Sequence, residues 1–226
     1  MKINYYGHSN FMVEGDEGEK ILIDPFFTGN PLVKDSEIVN TIKPDYIVIT
    51  HAHGDHIGDT EKIAKNSDAI IIANYEISNY FAAKGLKTHP LHIGGKKIFD
   101  WGWIKLTPAF HGSSFPDGSY GGTAAGVLID IEGKLVYHAG DTGLTYEFKM
   151  LGETNDIYVS MLPVGGNFTM DLNDAIYAAE WLKTKIVIPM HYNTFDLIKT
   201  DKKNFEYAFR HFRLEVLDSG ESLTLK

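Results

Sequence analysis

Residues 46–59 read YIVITHAHGDHIGD, and this stretch decides the fold reading. Its first five residues are β-branched or aromatic, the composition of a buried strand. Three histidines and an aspartate follow within six residues: His51, His53, Asp55 and His56. If the chain stays extended past the strand, the period of two puts the His51 and His53 imidazoles on one face, where they can grip one ion. Gly54 is then expected to let the backbone turn sharply, so that Asp55 and His56 reach a second ion about 4 Å away, the spacing of two-metal hydrolytic sites. A polar strand-to-helix loop is the bland alternative, but it gives no reason to gather three imidazoles and a carboxylate.

Outward from this segment, strands are predicted at 3–6, 10–13 and 20–24, and past it come helix 60–65, strand 69–73 and helix 76–84, the last closed by Gly85. A second β group covers 97–99, 103–107, 125–131 and 134–138, with a hairpin turn at Glu132 and Gly133. Buried strands at 156–162 and 186–189 flank a helix at 174–182, and a helix at 204–212 precedes strands at 214–217 and 222–225. A meander followed by strand–helix units thus occurs twice. The expectation is an α/β (α+β) chain, one domain over 1–226 made of two similar halves, with sheets inside and helices outside.

The composition narrows the chemistry. The chain has 226 residues, 43% hydrophobic and 23% charged, a soluble globular balance. With 21 Lys and Arg against 30 Asp and Glu, the net charge of -9 argues against broad attraction to nucleic acid or anionic lipid. There is no cysteine, which excludes disulfides, thiolate nucleophiles and Cys-ligated zinc or iron–sulfur sites together, so any metal is held by His and carboxylate. The opening MKINYYGHSNFMVEG lacks the apolar core of a secretory signal, and no apolar run approaches the roughly 18 residues of a membrane span. The expected location is the cytoplasm.

HAHGDH matches the HxHxDH signature, and the chain resembles the metallo-β-lactamase superfamily. It looks most like the small metal-dependent hydrolases of that superfamily related to ascorbate-phosphate lactonase. The resemblance runs nearly end to end through YYGHSNF (5–11), ILIDPFFTGNP (21–31), THAHGDHIGD (50–59), YHAGDTG (137–143), GGNFTM (165–170) and VIPMHYNTF (187–195). It implies a four-layer αββα metallo-β-lactamase sandwich with the metal site at one edge, where the halves meet. It further implies that His51, His53 and His111 hold one ion and that Asp55, His56 and His191 hold the other, with the Asp141 carboxylate bridging. Two divalent ions per chain are therefore expected. Imidazoles and carboxylates suit Zn, Mn, Ni, Fe or Co, and no soft ligand is offered.

His53 stands where di-iron electron-transfer relatives characteristically carry Glu, which favours hydrolysis. The nucleophile implied is a hydroxide bridging the ions, oriented or deprotonated by Asp55. Around this core the sequence offers further candidates. His8, between the first two strands, is placed at the rim of the site as a second catalytic residue, the alternative being a buried hairpin histidine. Asp24 could accept from the free nitrogen of a ligand imidazole or could simply initiate a turn before Pro25. His138 is read as backing the ligands or as structural. Ser113, Ser114 and Tyr120, in the polar stretch after His111, and Asn167 and Asn193 are candidate substrate contacts, although turn chemistry alone would explain the two asparagines.

The function expected is hydrolysis of a small ester, lactone or phosphodiester. A nuclease is the first alternative, weakened by the charge and by the lack of a basic arm. A non-catalytic metal-binding protein is the second, weakened by the presence of all seven ligand candidates. The expected partner is a small-molecule substrate, not nucleic acid or membrane, and a homo-oligomer stays open.

Overall fold

A computed structural model describes residues 1–35 and 37–225. The first seven-stranded sheet joins β1 (Lys2–Gly7), β2 (Asn10–Glu14), β3 (Lys20–Ile23), β4 (Tyr46–Val48), β5 (Ile70–Ala73) and β6 (Thr88–Pro90) in that order, with β14 (Ser222–Thr224) added beside β1. The second, also of seven strands, runs β7 (Lys96–Phe99), β8 (Gly102–Pro108), β9 (Ala125–Ile131), β10 (Lys134–His138), β11 (Ile157–Pro163), β12 (Ile186–Met190) and β13 (Arg213–Leu214). Each sheet begins as an antiparallel meander and continues in parallel strands, through β3–β6 in one and β10–β13 in the other.

The strands of the first sheet are apolar on both faces, and the period-two rule sorts them. Phe11, Val13, Ile21, Ile23, Val48 and Ile72 point inward to a core shared with Ile104, Val127 and Ile129 of the second sheet. Their alternates Met12, Leu22, Ile47, Ile71 and Ala73 point outward and pack against α1 (Ile38–Thr41), α3 (Thr60–Ser67) and α4 (Tyr75–Ala82). Behind the second sheet lie α5 (Glu147–Thr154), α6 (Leu172–Leu182) and α7 (Lys203–Ala208), which bury Phe148, Leu151, Ala175, Ala178, Leu182 and Phe205. The layers are therefore helix, sheet, sheet, helix. No helix among the described residues is long and apolar enough to cross a membrane.

Local signals hold where their chemistry is strong. Gly85 (φ +78) closes α4 as expected, its N–H donating to Ala82 O while the Leu86 N–H donates to Phe81 O. Glu132 (φ +56) and Gly133 (φ +74) form the tight hairpin turn. Helix α5 was not expected from the sequence, because Gly152 weakens its pattern. That glycine is required by the crossing with α6: a Cβ there would lie 2.1 Å from the Trp181 carbonyl oxygen. The helix expected at 204–212 ends at Ala208, and Phe209 turns into the core instead of extending it.

Candidate metal centre

The C-terminal ends of the central strands converge at one edge of the sandwich. His51 and His53 follow β4, the short helix α2 (Gly54–Ile57) presents Asp55 and His56, and Asp141 and His191 follow β10 and β12. Two clusters result among the described residues, His51 with His53 and His111, and Asp55 with His56, His191 and His8, and a third group, His51 with His56 and Asp141, links them, with ligand atoms of each set within 4.8 Å of one another. The Asp141 carboxylate stands between them. Its Oδ2 lies 2.9 Å from His191 Nε2 and 3.5 Å from His111 Nε2, and its Oδ1 lies 3.4 Å from His56 Nε2.

The imidazoles are held in defined orientations. Asp24, fully buried, accepts from the Thr50 N–H at 2.8 Å, from the Thr50 hydroxyl at 2.7 Å and from His56 Nδ1 at 2.7 Å. Since the Thr50 hydroxyl gives its proton to Asp24, it accepts from His51 Nδ1, 3.0 Å away. One carboxylate thus orients two imidazoles, turning Nε2 of both His51 and His56 toward Asp141. His53 turns Nδ1 toward His51 Nε2 at 3.0 Å.

His8, Asp24 and His191 all adopt left-handed backbone (φ +59, +46 and +55), a conformation costly for side-chain-bearing residues that clusters at functional sites. The His191 N–H donates to His8 O at 2.9 Å, locking two of these turns together. His138 is buried away from the clusters: Nε2–H donates to Ser9 O at 3.0 Å, and Nδ1 accepts the Gly140 N–H at 3.1 Å. It ties the loop after His8 to the loop before Asp141.

Electrostatics favour neutral imidazoles on one side and anionic carboxylates between. Burial, reinforced by neighbouring histidines, pushes His51 well below the usual imidazole range, and burial likewise lowers His53 and His111. Burial alone would raise Asp141, but His191 and His56 outweigh it and hold the carboxyl well below its usual range. His56 goes the other way, because Asp141 and Asp24 overcome burial and raise it. Burial also opposes ionisation of Asp55, yet the His8 hydrogen bond and the His56 charge keep it low.

The residues fit a divalent ion. His56 Nε2 and Asp141 Oδ1 are buried and make no hydrogen bond, which is costly for polar atoms unless something binds them. Seven nitrogen and oxygen donors without sulfur suit Zn, Mn, Ni, Fe or Co.

Several sequence expectations are corrected here. The chain does turn from extended at His53 into α2 at Gly54, but without glycine's conformational freedom, since Gly54 has no positive φ; the glycine-requiring turn is at Gly58 (φ +34), past Asp55 and His56, where a Cβ would lie 2.3 Å from the Pro25 carbonyl oxygen. His8 is not at the rim. Its side chain is completely buried, with Nε2 3.2 Å from Asp55 Oδ2 and Nδ1 2.9 Å from Thr194 Oγ1. Burial and then the His191 charge push it down to about 4, and its Nε2 is engaged with Asp55 and not open to a leaving group.

Ser113 is occupied as well, donating to Gly121 O at 2.9 Å and accepting the Ala52 N–H at 3.1 Å. Ser114 and Tyr120 form a backbone bridge with each other and do not line the cleft, and Asn193 Oδ1 accepts the Thr200 N–H and faces a separate groove. Asn167 is exposed on a left-handed turn. The cleft itself, about 230 Å³, is lined by His53, Asp55, His111, Asp141, His191, Phe168 and Phe195. Both phenylalanines were missed. Their signal was an apolar ring beside each asparagine candidate, in GGNFTM and HYNTF, where a polar loop has no packing need for one.

This fold and this donor set define a class, and comparison with known proteins agrees. The profile described as a beta-lactamase superfamily domain matches residues 2–191. The chain belongs to the metallo-β-lactamase superfamily. UPF0173 metal-dependent hydrolases of Bacillus mycoides and Bacillus cereus are each 46% identical to it over 230 residues, covering 100% of both chains. A metallo hydrolase of the hyperthermophilic archaeon Ignicoccus hospitalis superimposes with a TM-score of 0.91 at 40% identity, covering 100% of this chain and 98% of that one.

Proposed function

We propose that the protein is a hydrolase with a dinuclear metal centre acting on a small ester, lactone or phosphodiester. In this reading His51, His53 and His111 hold one divalent ion, Asp55, His56 and His191 hold the other, and Asp141 contacts both. The observation that carries it is the position of the Asp141 carboxylate, with Oδ2 within 3.5 Å of His111 and His191 and Oδ1 3.4 Å from His56, all ligand candidates from both clusters. When bound, such a pair of ions supplies a nucleophilic water at neutral pH and polarises the oxygen of the scissile group.

The chain's own residues do the rest. Asp55, partly open to the cleft, is kept ionised by the His8 contact and is the group placed to orient the attacking water and take its proton. His8 is a positioning residue: neutral, it donates from Nε2 to Asp55 Oδ2 and accepts the Thr194 hydroxyl at Nδ1. Asp24 and Thr50 hold His51 and His56 in the ligating tautomers. The apolar walls contributed by Phe168 and Phe195 restrict water around the reacting group.

Elemental analysis and calorimetric titration of the purified full chain test the reading. Two equivalents of Zn or Mn are expected, both weakened in Asp141→Ala, whereas His53→Ala and His191→Ala each weaken mainly one. A stoichiometry that stops at one under saturation, or an Asp141→Ala chain with full occupancy, overturns the dinuclear assignment.

A further inference from the structure

The cleft over the metal centre has an unusual division of chemistry. Its polar side chains are His53, Asp55, His111, Asp141 and His191, every one a ligand candidate. The remaining lining is aromatic, Phe168 and Phe195, which stay 50% and 38% exposed. No lysine or arginine lines the cleft among the described residues, and two carboxylates, Asp55 and Asp141, do. Once the ligand atoms are engaged, the side chains leave a substrate apolar surface and no cation beyond the ions themselves.

The Phe195 ring is packed in place, and the Phe168 backbone is fixed. Phe195 packs edge-on to the buried His8 ring at 5.4 Å and against Phe26 at 6.4 Å. Phe168 sits on a turn whose N–H donates to Gly166 O, and the same loop is tied to the ligand-bearing one by the Met170 N–H to Thr142 O bond at 2.9 Å. Large apolar side chains held in the open beside reactive groups mark a binding surface. An anionic phosphoester needs positive or N–H-rich partners for its non-reacting oxygens, as phosphate sites generally supply them. This cleft has two rings in their place.

We infer that Phe168 and Phe195 select an uncharged carboxylic ester or lactone carrying a ring or short alkyl chain beside the scissile bond, and disfavour anionic substrates. This rests on the hydrolytic reading above and narrows it away from phosphodiesters and phosphorylated sugars. The oxygen of water bonds to the acyl carbon and the acyl C–O bond breaks. The departing oxygen takes one proton, and the acid leaves as carboxylate with the second proton released to solvent.

The test uses the metal-loaded full chain and three esters with one leaving group: 4-nitrophenyl acetate, 4-nitrophenyl hexanoate and mono-4-nitrophenyl adipate, the last a six-carbon chain ending in a carboxylate. Full burial of a methylene corresponds to roughly a three- to fourfold gain in binding. Hexanoate should therefore exceed acetate in kcat/KM at least about tenfold, and adipate should not exceed acetate. The Phe168→Ala/Phe195→Ala double variant should flatten this series with metal content unchanged. Calorimetric binding of uncharged N-phenylhexanamide, seen in the parent chain, should be lost in the double variant.

Adipate turned over as well as hexanoate, or a chain-length series that is flat in the parent chain, overturns the selectivity while leaving a hydrolase. Turnover of bis(4-nitrophenyl) phosphate with none of the esters also overturns it and makes the protein a phosphodiesterase. No turnover of any of these with two ions bound removes the hydrolytic reading and the inference with it.

Discussion

Asp24 Oδ2 lies 2.7 Å from His56 Nδ1, and both side chains are fully buried. The same carboxylate takes the backbone and hydroxyl protons of Thr50 and, through that hydroxyl, orients His51. One residue outside the ligand candidates therefore orients an imidazole in each cluster. Asp24→Asn is expected to weaken metal affinity about 10- to 100-fold, the usual cost of losing a carboxylate behind a ligating histidine. Chelator competition measures it, and an unchanged affinity would show that the tautomers are set elsewhere.

His8 gives the pH prediction. Its folded value of about 4 lies below the ordinary 6.5, so between these values the unfolded chain binds a proton that the folded chain does not. The resulting contribution to stability is fully present above about 6.5 and is lost as pH falls through that value toward 4. In metal-free protein, His8→Gln cannot titrate, so its melting temperature should gain on the parent's by several degrees between pH 7 and 4. At neutral pH His8→Ala should lose turnover about 10- to 100-fold with two ions still bound, because Asp55 then loses its orienting partner. A gap in melting temperature that is constant with pH would mean that His8 titrates normally.

Metal removal should be visible as lost stability. An ion at 1,000 times its Kd stabilises the native chain by about 4 kcal/mol, and for a domain of this size each kcal/mol shifts the melting temperature by roughly 2–4 °C. Scanning calorimetry should show the transition fall by about 10 °C or more on chelation and recover in two steps as two equivalents of Zn are returned. Recovery complete at one equivalent would contradict a second site that contributes to the fold.

What the sequence made legible follows the range of each interaction. The strands at 125–131 and 134–138 were readable because an apolar β run on each side of a two-residue turn acts locally. His51, His53, Asp55 and His56 were readable because six consecutive residues carry the pattern, while His111, Asp141 and His191 lie tens of residues away and came only through the resemblance. His8 shows the limit. Its sequence neighbours make it a hairpin histidine, but its chemistry is set by Asp55, 47 residues on, and Thr194, 186 residues on. Ser113 failed for a similar reason, since only the tertiary fold brings the Ala52 N–H to its hydroxyl. Phe168 and Phe195 were passed over because an exposed aromatic in a loop has no meaning until the loop is seen to overhang a site.

The two glycines of HAHGDHIG separate sequence intuition from structure. Gly54 stands inside the metal motif, but it carries no left-handed backbone, and a Cβ there would make only an ordinary 3.5 Å contact with Pro116. Gly58 lies just beyond the motif with φ +34, and a Cβ there would meet the Pro25 carbonyl oxygen at 2.3 Å and Phe26 Cα at 2.8 Å. The closeness matters because the Pro25 carbonyl also accepts the Asp59 N–H at 2.9 Å, joining the segment after Asp24 to the link between α2 and α3. Gly54→Ala should therefore change stability by less than about 1 kcal/mol and keep both ions, since Ala is also the better helix former. Gly58→Ala combines backbone strain with overpacking against main chain, and about 1–3 kcal/mol or more of destabilisation is expected. Its metal affinity should fall as well, because any relief of the clash moves α2 away from Asp24. Denaturant unfolding and chelator competition on the two variants check this. A Gly54→Ala chain that is the more damaged of the two would return the turn to the place where the sequence alone puts it.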